Sequence, residues 1–207
     1  MILHELLNLT LAALGSCDTL YRMDSKLQII SGAYRGRKLR LPDGARPTQN
    51  RARIALFNML GAIVDTTHKF TVWDAFAGSG AFGVECLSRY AGAHAIFTDV
   101  AVASIRAIRE NLGNVDTSRA TVVMADAMTR ISEFGAVSDL IFVDPPYAAH
   151  DTGAAFVRRV AAVARPGTIL VWEQDGDNFV APGPEWEILR DKKYGRARFL
   201  ILRRSAQ

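Results

Sequence analysis

The sequence predicts an α/β protein. A mostly parallel, doubly wound sheet of seven strands is expected, closed by a C-terminal antiparallel hairpin and preceded by a small N-terminal β-hairpin appendage. Three observations carry this expectation. From Thr71 onward, short apolar runs alternate with stretches of helical periodicity, the pattern of successive βαβ units. The last run is followed by WEILRDKKYGRARFLIL, two strand-like segments around a KYGR turn, which reads as a hairpin. The chain has 207 residues, 49% of them hydrophobic, enough for one full core.

Residues 1–26 hold an apolar stretch, but Glu5 precedes any Lys or Arg, which argues against a secretory leader. They read either as an accessory helix or tail, or as sequence upstream of a start at Met23. Residues 27–49 form the appendage, where β-prone runs at 27–30 and 38–41 flank Gly32 and Gly36. The main domain follows at 50–207. Thr48 suits a helix N-cap, and Ile54, Phe57, Leu60 and Ile63 or Val64 then recur at helical spacing. Strands are expected at 71–76, 95–98, 120–124, 140–144 and 169–173, with helices near 80–90, 101–112, 127–134 and 152–164.

Composition excludes several classes. No run approaches eighteen apolar residues, so no membrane span is expected. The two cysteines, Cys17 and Cys86, lack CxxC spacing and indicate a reduced, cytoplasmic protein without a disulfide framework or zinc site. The four histidines are scattered and suggest no metal centre. The net charge of +4 matters only where it is clustered.

The chemistry-bearing segment begins with DAFAGSGAFG, in which Gly78, Gly80 and Gly83 spell G-x-G-x-x-G. Such a turn after a first strand lets a nucleoside-bearing ligand approach the backbone, and an acid about twenty residues on, here Asp99, suits its ribose. NAD and S-adenosylmethionine both fit that description. Asp74, four residues before the first glycine, separates them. A carboxylate there repels a pyrophosphate but attracts the sulfonium and ammonium groups of S-adenosylmethionine. The absence of Lys-Ser/Thr after the loop removes the P-loop reading.

The fourth strand ends in Asp144-Pro145-Pro146-Tyr147, at the carboxyl edge where doubly wound sheets place their chemistry. This turn suits methylation of an exocyclic amine on a planar base, whose nitrogen lone pair is delocalised into the ring. Asp144 and a carbonyl within Pro145–Pro146 can accept the amine hydrogens and draw the lone pair out of conjugation. The prolines stiffen the turn without competing N–H donors, and Tyr147 offers a face for a splayed base. Asp126, after the third strand, can read an adenine amino group or cap a helix. Between Arg35 and Arg53 the bases Arg35, Arg37, Lys38, Arg40, Arg46, Arg51 and Arg53 face a single acid, Asp43. That is a phosphate-binding footprint. Tyr34 can stack on a base or pack under the hairpin.

These motifs together, namely IISGAYRGRKLRLP, RPTQNRARIALFNML, DAFAGSGAFGVECLSR, Asp126–Ala127 and FVDPPY, resemble the bacterial 16S ribosomal RNA guanine-N2 methyltransferases of the RsmD type. The likeness runs from about Gln28 to the C-terminus. It implies a Rossmann-like class I S-adenosylmethionine-dependent methyltransferase that modifies the N2 amine of one guanine in 16S rRNA, within an assembled or nearly assembled 30S subunit, and acts as a monomer. Cofactor contacts implied are Asp74, Phe76, Gly78, Ser79, Gly80, Asp99, Asp126 and Ala127, with the catalytic turn at Asp144–Tyr147. The chain departs from the family at three places. Phe97 stands where a first acid is common, Gln49-Asn50 replaces Thr-Asp, and Ile54 replaces Glu. Rival readings are an adenine-N6 methyltransferase on DNA or RNA, disfavoured by the N-terminal basic block, and a non-catalytic RNA-binding assembly factor, disfavoured by the intact loop and turn. An NAD oxidoreductase is disfavoured by Asp74.

Overall fold

The computed structural model describes residues 27–42, 50–65, 67–113, 115, 117–146 and 150–206. Helix α1 spans Asn50–Leu60. There follow β1 (Phe70–Asp74), α2 (Ala81–Arg89), β2 (Ala93–Asp99), α3 (Val102–Leu112), β3 (Ala120–Met124), β4 (Leu140–Val143), α4 (His150–Ala161), β5 (Ile169–Asp175), β6 (Trp186–Tyr194) and β7 (Ala197–Arg204). The seven strands form one sheet in the order β3-β2-β1-β4-β5-β7-β6. The first five run parallel, and β7 pairs antiparallel with both β5 and β6. The fold class read from the sequence is therefore the observed one.

Strand order reverses between β1 and β4, where Asp74 pairs in register with Phe142. The carboxyl ends of these two strands frame the crevice in which such sheets bind their ligands. Each sheet face buries its own core. One holds α1, α2 and the N-terminal segment, with Phe82 stacked on Phe142 at 4.1 Å and on Phe57 at 5.2 Å. The other centres on Trp73, Phe156, Trp172 and Trp186.

Three expectations about local structure are corrected. In α1 the buried residues are Ala52, Arg53, Leu56, Phe57 and Leu60, whereas Ile54 is 42% exposed. The stripe thus runs 53-56-57-60, one residue out of phase with Ile54. The segment expected as a helix at 127–134 is instead a 3-10 turn (Ala127–Thr129) followed by a π turn (Ile131–Gly135). Gly135 lies so close to α4 that a Cβ would meet Val160 at 2.8 Å. The appendage closes as a hairpin, Ile29 N–H donating to the Arg37 carbonyl and Leu39 N–H to that of Leu27, but its described residues carry one antiparallel bridge, Gln28 to Lys38, in place of two full strands.

Residues 27–42 are packed against the sheet domain. Leu27, Ile29 and Leu39 are buried in the same core as α1 and α2. Glu85 of α2, fully buried, accepts the N–H groups of Ile30 at 2.7 Å and Ser31 at 3.0 Å. Ser88 accepts from Tyr34 N–H and donates to the Ser31 carbonyl. Gly32 adopts φ +88°, and a Cβ there would sit 2.0 Å from the Ser88 carbonyl oxygen. Only glycine allows this approach. Residues 1–26, which carry the reading of an extension or upstream sequence, lie outside the described residues, as do Arg46, Thr48 and Tyr147.

Candidate active site

β1 delivers Asp74 to the crevice floor at 1% exposure. Its Oδ2 accepts the Gly83 N–H at 3.0 Å, tying the strand end to the first turn of α2. Burial pushes its carboxyl well above the usual range. The Gly83 hydrogen bond opposes that rise, and the nearby charges of Asp144 and Asp99 reinforce it.

The three glycines of the loop have separate physical roles. Gly78 and Gly80 take left-handed conformations, φ +52° and +73°, which disfavour side chains. A Cβ on Gly78 would meet nothing within 4 Å, so this stretch of backbone opens to the crevice. On Gly83 a Cβ would lie 2.3 Å from the Phe97 ring. That is the close helix–strand packing the third glycine of such loops allows.

Phe97 is fully buried beneath Gly80 and Gly83. Position 97 is therefore part of the loop's foundation. The acid at the strand end is Asp99, whose Oδ2 accepts Gly78 N–H and whose Oδ1 accepts Ala101 N–H, both at 2.8 Å. Ser79 is held through its carbonyl, which accepts from Asn111 Nδ2 at 2.8 Å. Phe76 is half-buried edge-on against Phe156. Asp126 is exposed and uses Oδ1 to accept Met128 N–H, the capping role, while Ala127 is buried beside it.

β4 delivers Asp144, which immediately follows the strand and is partly exposed. Burial raises its carboxyl to about 7. Pro145 is braced from α4: a Cβ on Gly153 would fall 3.1 Å from Pro145 and 2.8 Å from Trp172 Nε1. Gly153 thus lets α4 lie directly against the turn. Asp74, Asp99 and Asp144 together make the crevice rich in carboxyl groups, two of them raised. A cationic ligand relieves that arrangement and a pyrophosphate aggravates it. The chemistry of this donor set, carboxyl groups beside an open glycine backbone, fits a cationic, nucleoside-bearing cofactor such as S-adenosylmethionine.

The basic residues divide into three groups. Arg53 is a correction: it is 5% exposed, pairs with Glu85 at 3.3 Å and donates to the carbonyls of Gln28 and Ala81. Its charge serves the core and is not offered to a phosphate. Arg37 donates to the carbonyls of Glu110 and Leu112 at the end of α3, and Arg40 pairs with Glu110. Arg35, Lys38 and Arg51 are exposed. Tyr34 is half-buried against the core, the packing alternative.

Sequence reasoning missed Glu85, Ser88, Asn111 and Gly153. Asn111 is 3% exposed and bridges the glycine loop to the appendage, donating to Ser79 and Arg40 carbonyls and accepting Arg40 N–H. An acid among the apolar residues of GVECLSR was the one signal that could have revealed Glu85.

Known proteins resemble the chain over most of its length. Ribosomal RNA small subunit methyltransferase D of Escherichia coli K12 is 35% identical over 188 residues, 88% of this chain and 92% of that protein. The Haemophilus influenzae protein of the same name is 28% identical, covering 82% and 90%. Among solved structures, an Escherichia coli protein assigned to the methyltransferases superposes with a TM-score of 0.73 at 31% identity, covering 87% of this chain and 98% of that one. The family model described as conserved hypothetical protein 95 matches residues 27–203. The chain belongs to this family, the RsmD family of methyltransferases.

Proposed function

We propose that this protein transfers the methyl group of S-adenosylmethionine to the exocyclic N2 amine of one guanine in 16S rRNA, acting as a cytoplasmic monomer on an assembled or nearly assembled 30S subunit. The observation that carries the reading is the placement of Asp74 with its glycine loop on β1 directly beside the Asp144-Pro145-Pro146 turn on β4, at the point where strand order reverses. The relatives named as small-subunit ribosomal RNA methyltransferases supply the substrate class.

The chain's residues act mainly by alignment. The cofactor, when bound, supplies a methyl group already activated on sulfur. Asp144 accepts one amine hydrogen and a proline-turn carbonyl a second, which turns the nitrogen lone pair out of the ring. The carboxyl of Asp144, raised to about 7, can also hold the proton released as the N–C bond forms. Gly153 and Pro145 keep the turn rigid, so the reacting atoms meet in line.

Tritiated-methyl transfer to 30S subunits lacking the modification, followed by mapping, tests this. Label is expected at N2 of a single guanine. Label at N6 of an adenine would overturn the substrate, and no label despite S-adenosylhomocysteine binding would indicate an assembly factor. Arg35, Lys38 and Arg51, all exposed, are proposed to meet phosphates. Arg35→Glu with Arg51→Glu should weaken RNA binding by roughly tenfold or more, and should reduce the slope of log affinity against log salt by about 1.5–2. An unchanged slope would remove these residues from the RNA contact.

A further inference from the structure

Beyond the four residues of the turn, the carboxyl edge holds a further acid. Glu173 is the fifth residue of β5 and only 4% exposed. The β4–β5 register pairs Val143 with Trp172. The pairing ends there, and the next residues of the two segments are Asp144, just past β4, and Glu173, within β5, so they occupy adjoining positions at the carboxyl edge. Side chains alternate along a strand. Trp172 and Val143 enter the core of one face, so Glu173 and Asp144 share the other, with Asp74 and Phe142. On its far side Glu173 pairs with Phe199, a buried ring. A carboxyl group is therefore buried at the carboxyl edge of the sheet, next to the catalytic turn and on the same face as Asp74.

A carboxylate offers about four lone-pair sites, so Glu173 can accept a hydrogen from a ligand besides the contact it keeps within the protein. The edge of guanine presents two donors side by side, N1–H and the N2 amine. Asp144 is committed to the amine. We propose that Glu173 is a specificity-determining residue that accepts the N1–H of the target guanine, so the two adjacent carboxyl groups read its two adjacent donors. Adenine and cytosine carry a lone pair at the ring nitrogen next to their amine, and a carboxylate there repels them. Discrimination arises because the wrong base leaves a buried acceptor facing an acceptor. This inference rests on the guanine-N2 reading above and explains how such a site would choose guanine.

The test uses the full-length protein and 30S particles reconstituted with RNA carrying either guanine or 2-aminopurine at the mapped position. 2-Aminopurine keeps the N2 amine but has a lone pair at N1. The wild type should prefer guanine strongly in kcat/KM. Glu173→Gln can donate its amide N–H to that lone pair, and should lower the guanine-to-2-aminopurine ratio at least tenfold with S-adenosylhomocysteine binding kept within a few-fold. A purely structural role would slow both substrates alike, and an unchanged ratio would overturn the proposal. If the Gln variant does not fold, Glu173→Asp provides the reading. Its shorter carboxylate should lose guanine turnover several-fold more than 2-aminopurine turnover, and equal losses would overturn the proposal. Failure of the guanine-N2 reading shows separately, as wild-type protein that labels no guanine.

Discussion

Asp144→Ala is expected to lower methyl transfer by about 10²–10³-fold or more while leaving S-adenosylhomocysteine affinity within a few-fold. The magnitude is that of removing one preorganised polar group from a reacting centre. Affinity should survive because the cofactor's proposed partners lie on other elements: Asp74 on β1, Gly78 in the loop and Asp99 on β2. Because burial raises Asp144 to about 7, the accepting carboxylate is lost as pH falls below that value. The kcat/KM should therefore drop about tenfold per pH unit on the acid side and level off above it. Asp144→Asn keeps an oxygen acceptor that does not titrate, so its residual activity should lack this acid limb. Rate–pH profiles of the three proteins would check both statements, and an acid limb retained in the Asn variant would assign it to another group.

The same raised carboxyl affects stability with a definite sign. A folded-state pKa above the unfolded value means the native protein binds this proton more tightly. The stabilisation is complete below the ordinary carboxylate range and is lost as pH rises through about 7. Asp144→Asn should accordingly melt higher than the wild type at pH 8 and close to it at pH 4.

Glu85→Ala is expected to destabilise the protein by about 3–5 kcal/mol, because it strands the buried Arg53 guanidinium. It also removes the acceptor for Ile30 and Ser31 N–H and the partner of Arg89, 2.6 Å away, whose guanidinium lies over Phe57. This is a large part of the 5–15 kcal/mol that holds a typical domain. The loss should be concentrated at the seam between α1, α2 and residues 27–42. Urea unfolding would measure the total, and amide exchange at Ile29–Leu39 should quicken before that of β1 or β4. Replacing Arg53 and Glu85 together by leucine should recover part of the loss, since no charge is left buried alone. The two backbone N–H groups would still lack their acceptor.

This seam also marks how far the sequence could be read. The parallel strands begin within two residues of their expected starts, because buried strands announce themselves as apolar runs bounded by turn residues. The places of the glycine loop and the Asp144 turn in the fold, at the ends of β1 and β4, were equally legible, since each is a short contiguous run. Arg53 was not. A charged residue in an amphipathic helix reads as solvated, and Ile54 beside it supplied a plausible apolar substitute. Only the meeting of Arg53 with Glu85, 32 positions away, reverses the assignment. Asn111 was hidden for the same reason: its importance lies in joining Ser79 to Arg40, which no local pattern expresses. The irregular turns at Ala127–Thr129 and Ile131–Gly135 follow from the close pass of Gly135 along α4, a tertiary constraint.

The two faces of the sheet also differ in their aromatic chromophores. All three tryptophans of the chain, Trp73, Trp172 and Trp186, lie in one core, whereas Tyr34, Tyr90 and Tyr194 pack against the other. Indole emission excited at the red edge therefore reports the α4 side of the molecule alone. Detachment of residues 27–42 would leave that signal nearly constant while altering tyrosine absorbance. The protein thus carries an intrinsic optical label on each side, and following both would separate release of the N-terminal segment from collapse of the sheet in one titration.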